Sequence, residues 1–314
     1  MTRRGWGAVL FAVIIAIAGA ANAVAEDSPL TNIQQKPWQA EGAAAHILLW
    51  PDGVAIEHPA TNEAEFYGTS TELVSGRHVE MVRNVSRPTL EIYPPRTRNN
   101  SGVTVVVFPG GGYRLLTVDL EGTEVCDWLT GRGITCAVLK YRVPEVPSVP
   151  MALQDAQRAI GLLRQRAVEF HIDPHKIGVF GFSAGGHLVA DVSNREDRAY
   201  TPIDAADRLS SRPDFGIILY PGRLLDEPNF ALNPSIKVSD KAPTTFILQA
   251  ENDATDDVRN SLIYYLALQQ AKVPVEMHLY ADGGHAFGLR PTALPISGWT
   301  VLVEKWLYTI GMLK

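Results

Sequence analysis

Gly181-Phe182-Ser183-Ala184-Gly185 fits the pattern G-x-S-x-G. The pentad comes after "KIGVFGF" (176–182), which reads as a buried strand, and runs on into an apolar stretch with helical spacing. A serine between strand and helix sits in a sharp, strained turn. Flanking glycines relieve the crowding, and Oγ is held at the top of a sheet above the start of the next helix. The bland alternative is an ordinary strand–helix turn capped by serine. The residues downstream of Ser183 argue against it.

A serine nucleophile needs a base. The chain has eight histidines. His171 and His175 flank a turn and read as surface residues. His187 lies one turn past Ser183, where packing beneath the turn is expected. His278 sits inside a strand. His285 differs, because it comes after "YADGG" just beyond the strand at 275–280 and before "AFG". Glycines on both sides free this loop to aim one imidazole over the sheet. In the order nucleophile–acid–base, only acids between 183 and 285 qualify as the third member. "QAENDATDDV" (249–258) offers Glu251, Asp253, Asp256 and Asp257. Asp253 comes three residues after a strand ending at Ala250 and is the first choice, with Asp256 second. Asp256 and Asp257 also read as helix-start charges, where acids offset the helix dipole. Glu251 reads as a surface charge.

Acyl transfer also needs donors for an oxyanion. Gly110, Gly111, Gly112 and Tyr113 come after Pro109 at the end of a strand. Glycines let backbone N–H groups turn inward without a Cβ in the way. The Ala184 N–H, next after the nucleophile, is a further donor. A dinucleotide-binding glycine fingerprint does not fit, since Leu115 stands at its third glycine position.

These residues must be held by a scaffold. "VTVVVF" (103–108) and "ITCAVLKY" (134–141) read, with 176–182, as buried strands, and "FGIILY" (215–220), "TTFILQA" (244–250) and "VEMHLY" (275–280) as further strands. Helical spacing is expected over 119–131, 151–170, 256–271 and 297–310. Strands alternating with helices imply an α/β fold, a mostly parallel, doubly wound sheet with helices on both faces. Ligand sites in such sheets lie beyond the carboxyl ends of the strands. About twenty residues separate Tyr220 from Thr244, too few for a large cap domain. "VEMVRNVSRPTLEIYPP" (79–95) reads as two short strands at a sheet edge, and residues 26–60 as an extended arm before a domain spanning 61–314.

The first 25 residues read as a secretory signal peptide: Arg3 and Arg4, an apolar run, then small residues with cleavage after Ala23 or Ala25. The run falls short of the roughly 20 residues a spanning helix needs, so no stable membrane insertion of the mature chain is expected. A secreted or periplasmic location is the consequence. Cys126 and Cys136 are expected on a helix and the next strand. They are either bonded, which export permits, or two small buried residues. The net charge of −6 without basic runs argues against nucleic acid as a partner. Neither HExxH nor CxxC spacing occurs, and no metal or cofactor is expected. Oligomeric state is not readable.

With these residues in place, the chain resembles α/β-hydrolase-fold serine esterases, and among them the acetylxylan esterase-like carbohydrate esterases, whose members are sometimes labelled xylanases in error. The matching segments are "FPGGGY" with "DLEG", "LKYRVP", "LQDAQRAIGLLR", "IDPHKIGVFGFSAGGHL", "RPDFGIILYP" and "NSLIYYLALQQAKVPVEMHLYADGGHAFGL". The resemblance implies Ser183 as nucleophile, Asp253 as acid and His285 as base, with Gly111, Gly112 and Ala184 forming the oxyanion hole. It implies a short acyl ester or acetylated polysaccharide as substrate. A feruloyl or general short-chain esterase is the alternative, with a wider pocket near Tyr113. A non-catalytic glycan-binding protein on the same scaffold is the alternative from another class. Pro109 stands where lipase-like relatives have His, which favours the carbohydrate esterase branch. Ala286 replaces a common Gly, and Gly222 to Ala242 differs from the usual segment.

Overall fold

The computed structural model describes residues 28–59, 61–146 and 150–314. In chain order the strands and helices are β1 (Leu30–Gln34), β2 (Ala45–Leu48), β3 (Phe66–Val74), β4 (Arg77–Arg83), β5 (Thr89–Tyr93), β6 (Thr104–Phe108), β7 (Leu115–Thr117), α1 (Glu124–Thr130), β8 (Thr135–Lys140), α2 (Met151–Gln165), β9 (Ile177–Phe182) and α3 (Ala184–Ser193). Then come β10 (Phe215–Leu219), β11 (Leu225–Asp226), β12 (Ala231–Leu232), β13 (Thr244–Ala250), α4 (Arg259–Gln270), β14 (Val275–Tyr280) and α5 (Trp299–Thr309). The expected signal peptide lies outside the described residues.

The central sheet has the order β14-β13-β10-β9-β6-β8-β5-β2. The six strands from β14 to β8 are parallel. β5 and β2 add an antiparallel edge. From β6 the chain moves one way, through α1 to β8. It then crosses back through α2 to β9 and continues the other way to β10, β13 and β14. The direction therefore reverses between β6 and β9, and the loops leaving their carboxyl ends diverge there and open a crevice. Those two loops carry the glycine run and Ser183.

Period-two alternation explains why both faces of the sheet are apolar. In β6, Val106 and Phe108 face the cluster made with α2, α3 and α4, including Ile160, Leu188 and Leu268. Val105 and Val107 face the opposite cluster, which includes Leu129 of α1 and Trp299 and Trp306 of α5. A fully buried strand needs apolar residues at every position, which is the pattern that marked it.

A second, four-stranded sheet has the order β1-β3-β4-β7. Its last strand, β7, comes directly after the glycine run and pairs with β4 from Leu115 to Thr117. Buried Arg290 fastens the same region from the other side. It donates to the carbonyls of Arg77 and His78 at 2.9 and 3.0 Å, and pairs with Asp119 and Glu124 at 2.9 and 2.8 Å. The loop after His285 is thus tied to the segment after the glycines.

The structure departs from the sequence reading in several places. Residues 26–60 contribute β1 and β2, so this stretch is woven into both sheets. β5 lies inside the central sheet, covered by β2, because the 45–48 strand pairs outside it. The 119–131 helix begins as a wider π-type turn over Asp119–Thr123. The 151–170 helix stops at Gln165, and α4 starts at Arg259. Between β10 and β13 stand only the β11–β12 hairpin and one short helical turn. Among the described residues, no helix is long and apolar enough to cross a membrane.

Cys126 of α1 and Cys136 of β8 form a disulfide across a separation of 10 residues. It settles the open alternative by pinning the helix beside its strand. Replacing both cysteines with Ala is expected to lower unfolding stability by about 2–3 kcal/mol, the chain-entropy value for a short loop. Urea unfolding of the variant and of the oxidised protein checks this. Equal midpoints would mean that the bond constrains nothing the core does not already hold.

Candidate active site

Ser183 has φ 51° and ψ −118°, a left-handed backbone rarely adopted by a residue with a side chain. The turn is locked from both sides. The Ser183 N–H donates to Leu219 O at 3.1 Å, and the Ser183 carbonyl accepts from His187 N at 3.1 Å. Close approach makes the flanking glycines obligatory. A Cβ at Gly181 would lie 2.0 Å from the Gly185 carbonyl, and one at Gly185 would lie 2.0 Å from that of Phe108. β9, α3 and β6 meet here with no room for a methyl group.

His285 and Asp253 come to Ser183 from two other loops. The Ser183 Oγ is 3.0 Å from His285 Nε2, and His285 Nδ1 is 2.7 Å from Asp253 Oδ2. Both His285 and Asp253 are buried. Asp253 Oδ1 accepts from the N–H groups of Thr255 and Asp256 at 2.9 and 3.0 Å, which fixes the carboxylate. Burial alone would raise the Asp253 carboxyl. The hydrogen bond and charge of His285, with the two N–H groups, outweigh burial and hold it below its ordinary value. Burial likewise opposes a charge on His285, but the bond to Asp253 and the charges of Asp253, Asp256 and Glu121 raise it above 6.5. The sequence-selected Ser183, Asp253 and His285 are therefore brought into one hydrogen-bonded chain.

The remaining acids divide differently from expectation. Asp257 does act at a helix start, accepting from Arg259 N at 2.8 Å and pairing with the Arg259 guanidinium. Asp256 does not. It precedes α4, and its Oδ2 turns inward to 3.3 Å from Ser183 Oγ and 3.8 Å from His285 Nε2. Glu251 is exposed, as a surface charge would be.

The glycine run lies against Ser183: a Cβ on Gly110 would sit 3.1 Å from Ser183 Cβ. The Gly110 N–H is already taken by Glu121 Oε2 at 2.7 Å. The Gly110 carbonyl accepts from Thr117 N, and that of Gly111 from the N–H groups of Arg114 and Leu115. A trans peptide directs N–H opposite to C=O, so the Gly111 and Gly112 N–H groups point away from those partners. Gly111 and Gly112 have φ 127° and 61°. The Ala184 N–H opens α3 and has no intrahelical acceptor.

Several residues of the site escaped sequence reasoning. Glu121 is buried behind the glycine run and accepts from Gly110 N, Thr117 Oγ1 at 2.6 Å and Tyr220 Oη at 2.8 Å. Burial pushes its carboxyl above the ordinary value, and these three donors hold that rise back. Tyr220 in turn sets its ring 4.9 Å from the His285 ring. Tyr113, expected beside a pocket, is buried, with Arg223 over its ring at 5.0 Å. Burial keeps its hydroxyl protonated, and it bonds His187 Nδ1 at 2.7 Å. Burial pushes His187 down to about 4, so it packs there as a neutral ring. Tyr113 is thus held by the chain's own side chains. Arg223 also donates to Gly112 O at 2.8 Å and steadies the glycine run. Among the described residues, no cluster of His, Cys, Asp and Glu is suited to a metal ion.

The chain is similar to several known proteins. A family model described as BD-FAE matches residues 90–212, a span that holds the glycine run and Ser183 but ends before Asp253 and His285. The chain is 30% identical over 214 residues to an acetylxylan esterase of Xylanibacter ruminicola, a match covering 60% of this chain and 42% of that protein. The chain therefore spans less than half the length of that relative. It is 28% identical over 225 residues to an arylesterase of Saccharolobus solfataricus, covering 63% and 72% of the two chains. Among solved structures it is similar to an acetyl ester-xyloside bifunctional hydrolase from Caldicellulosiruptor lactoaceticus. The identity is 35% and the TM-score 0.64, over 74% of this chain and 91% of that one.

The hydrogen-bonded chain makes two outcomes expected. A His285 that serves as base must be neutral to accept a proton, and its folded pKa is raised, so with that role turnover is lost as pH falls through a midpoint above 6.5. A kcat/KM profile with its acid midpoint well below that value would contradict the arrangement. Asp253→Asn should lower kcat by about 10⁴, the effect of leaving the imidazole in the wrong tautomer. Asp257→Asn should leave kcat near that of the wild type. The reverse pattern in steady-state assays would assign the acid wrongly.

Proposed function

The chain belongs to the α/β-hydrolase esterase family that the BD-FAE model describes, and from that membership we propose a secreted serine carboxylesterase that removes short acyl groups, acetyl foremost, from xylan or a related plant polysaccharide. The observation that carries this reading is the Asp253–His285–Ser183 chain, at 2.7 and 3.0 Å, on a strained strand–helix turn. His285 Nε2 takes the Ser183 proton as Oγ attacks the ester carbonyl. Asp253 holds the tautomer and stabilises the imidazolium. The N–H groups of Gly111, Gly112 and Ala184 receive the oxyanion. The imidazolium then protonates the leaving alcohol. Water, activated by the same nitrogen, releases the acid and restores Ser183.

Three features support the finer parts of the reading. Only a small hairpin and one helical turn stand between β10 and β13, so this segment forms no large cap, which suits an ester carried on a polymer. Tyr113, buried and bonded to His187, is packed within the chain, which fits a small acyl group. A disulfide between Cys126 and Cys136 suits an oxidising compartment, as the N-terminal sequence does.

The test is a panel of acetylated xylan, feruloylated arabinoxylan and p-nitrophenyl esters from two to twelve carbons, run on the wild type and on Ser183→Ala. Acetate release from xylan, with rates falling as the acyl chain lengthens, is the expected result. Turnover of the variant should fall by about 10⁶. Strong release of ferulate or cleavage of long chains without acetate release would overturn the substrate assignment. Activity surviving in the variant would overturn the site.

A further inference from the structure

Asp256 is the acid that acyl transfer does not use, yet its carboxylate lies at the reacting atoms. Its Oδ2 forms a triangle with Ser183 Oγ at 3.3 Å and His285 Nε2 at 3.8 Å. It does not orient the imidazole, because Nδ1 on the far side is held by Asp253. The placement is built into the fold. A Cβ on Gly222, just past β10, would lie 2.3 Å from Asp256 Oδ1, so the carboxylate occupies the space a side chain there would need. The Asp256 main chain is pinned as well: its N–H donates to Asp253 Oδ1 at 3.0 Å, and its carbonyl accepts from Gln249 Nε2 at 2.6 Å. The Asp256 side chain keeps 22% of its surface open.

The oxygen of the leaving alcohol must come within hydrogen-bond reach of His285 Nε2 to receive its proton. That oxygen and its neighbours on the alcohol then lie beside Asp256. A carboxylate in a half-buried site accepts strongly from a hydroxyl and repels an approaching anion. We propose that Asp256 is a specificity-determining residue for the alcohol half of the ester. It favours esters of polyols that carry a free hydroxyl next to the esterified one, and disfavours alcohols bearing a carboxylate near the ester. The proposal rests on Ser183 and His285 performing acyl transfer. Within that scheme it identifies a partly acetylated sugar, rather than a simple alkyl ester, as the matching substrate class.

The test compares kcat/KM for two acetyl esters in each protein. One is a methyl xyloside monoacetate with a free neighbouring hydroxyl, and the other is its analogue with that hydroxyl replaced by hydrogen. The proteins are the wild type, Asp256→Asn and Asp256→Val. Each ratio is taken within one protein, so a loss of folded enzyme cancels. The wild type is expected to prefer the free hydroxyl by about 10- to 100-fold, the range for a hydrogen bond to a charged group. Asp256→Val should bring the ratio to within about threefold of unity, and Asp256→Asn to an intermediate value. A ratio unchanged by either substitution overturns the proposal. So does an equal fall on both esters, which would place Asp256 in the chemical step. A wild type that cleaves neither ester, or Ser183→Ala retaining turnover, overturns the acyl-transfer reading instead.

Discussion

The left-handed backbone of Ser183 is the constraint around which the rest is arranged. A conformation of this kind costs of order 1–3 kcal/mol and persists only where its surroundings over-determine it. Here three elements do so. β10 takes the Ser183 N–H through Leu219 O, α3 returns a bond to the Ser183 carbonyl through His187 N, and β6 presses against Gly185. The buried parallel strands on both sides make that clamp rigid. The sheet's change of direction between β6 and β9 then places the glycine run beside the strained residue. Chemistry at Oγ is therefore a product of sheet topology as much as of the serine.

The site also gathers negative charge. Asp253, Asp256 and Glu121 all act on one imidazole, and each raises its affinity for a proton. An imidazolium formed during acyl transfer would be well stabilised there. Desolvation opposes this accumulation, so each carboxylate needs its own support. Asp253 has two backbone N–H groups, Glu121 has Gly110, Thr117 and Tyr220, and Asp256 has an opening to solvent. Arg223 adds a cation at the glycine run, on Gly112 O and over the Tyr113 ring. The Arg290 network joins the loop of His285 to the small sheet, whose β7 comes after the glycine run, so His285 and the glycines share one anchor.

Much of this was legible in the sequence, for physical reasons. Fully buried strands announce themselves as unbroken apolar runs, which marked the strands before Ser183 and Asp253, while β14 before His285 is a half-buried edge strand. Glycines at 110–112 marked a backbone that had to turn sharply. What was not legible depends on distant partners. Glu121 looks like any acid at a helix start, and its bond to Tyr220, 99 residues away, has no local signal. Arg290 reaches groups 166 to 216 residues earlier in the chain. The inward turn of Asp256 depends on the missing side chain at Gly222, and local pattern alone reads Asp256 and Asp257 alike. β1 and β2 are short and half-exposed, with no apolar period to set them apart from an arm.

The central claim is that Ser183 is the activated nucleophile. Its most direct test is covalent trapping. The protein is treated with an aryl or alkyl fluorophosphonate, the intact mass is recorded, and the labelled peptide is mapped. The account predicts one adduct per chain, on Ser183, formed faster as pH rises through the His285 titration and absent in Ser183→Ala. An adduct on another residue, or none while ester hydrolysis persists, would contradict it.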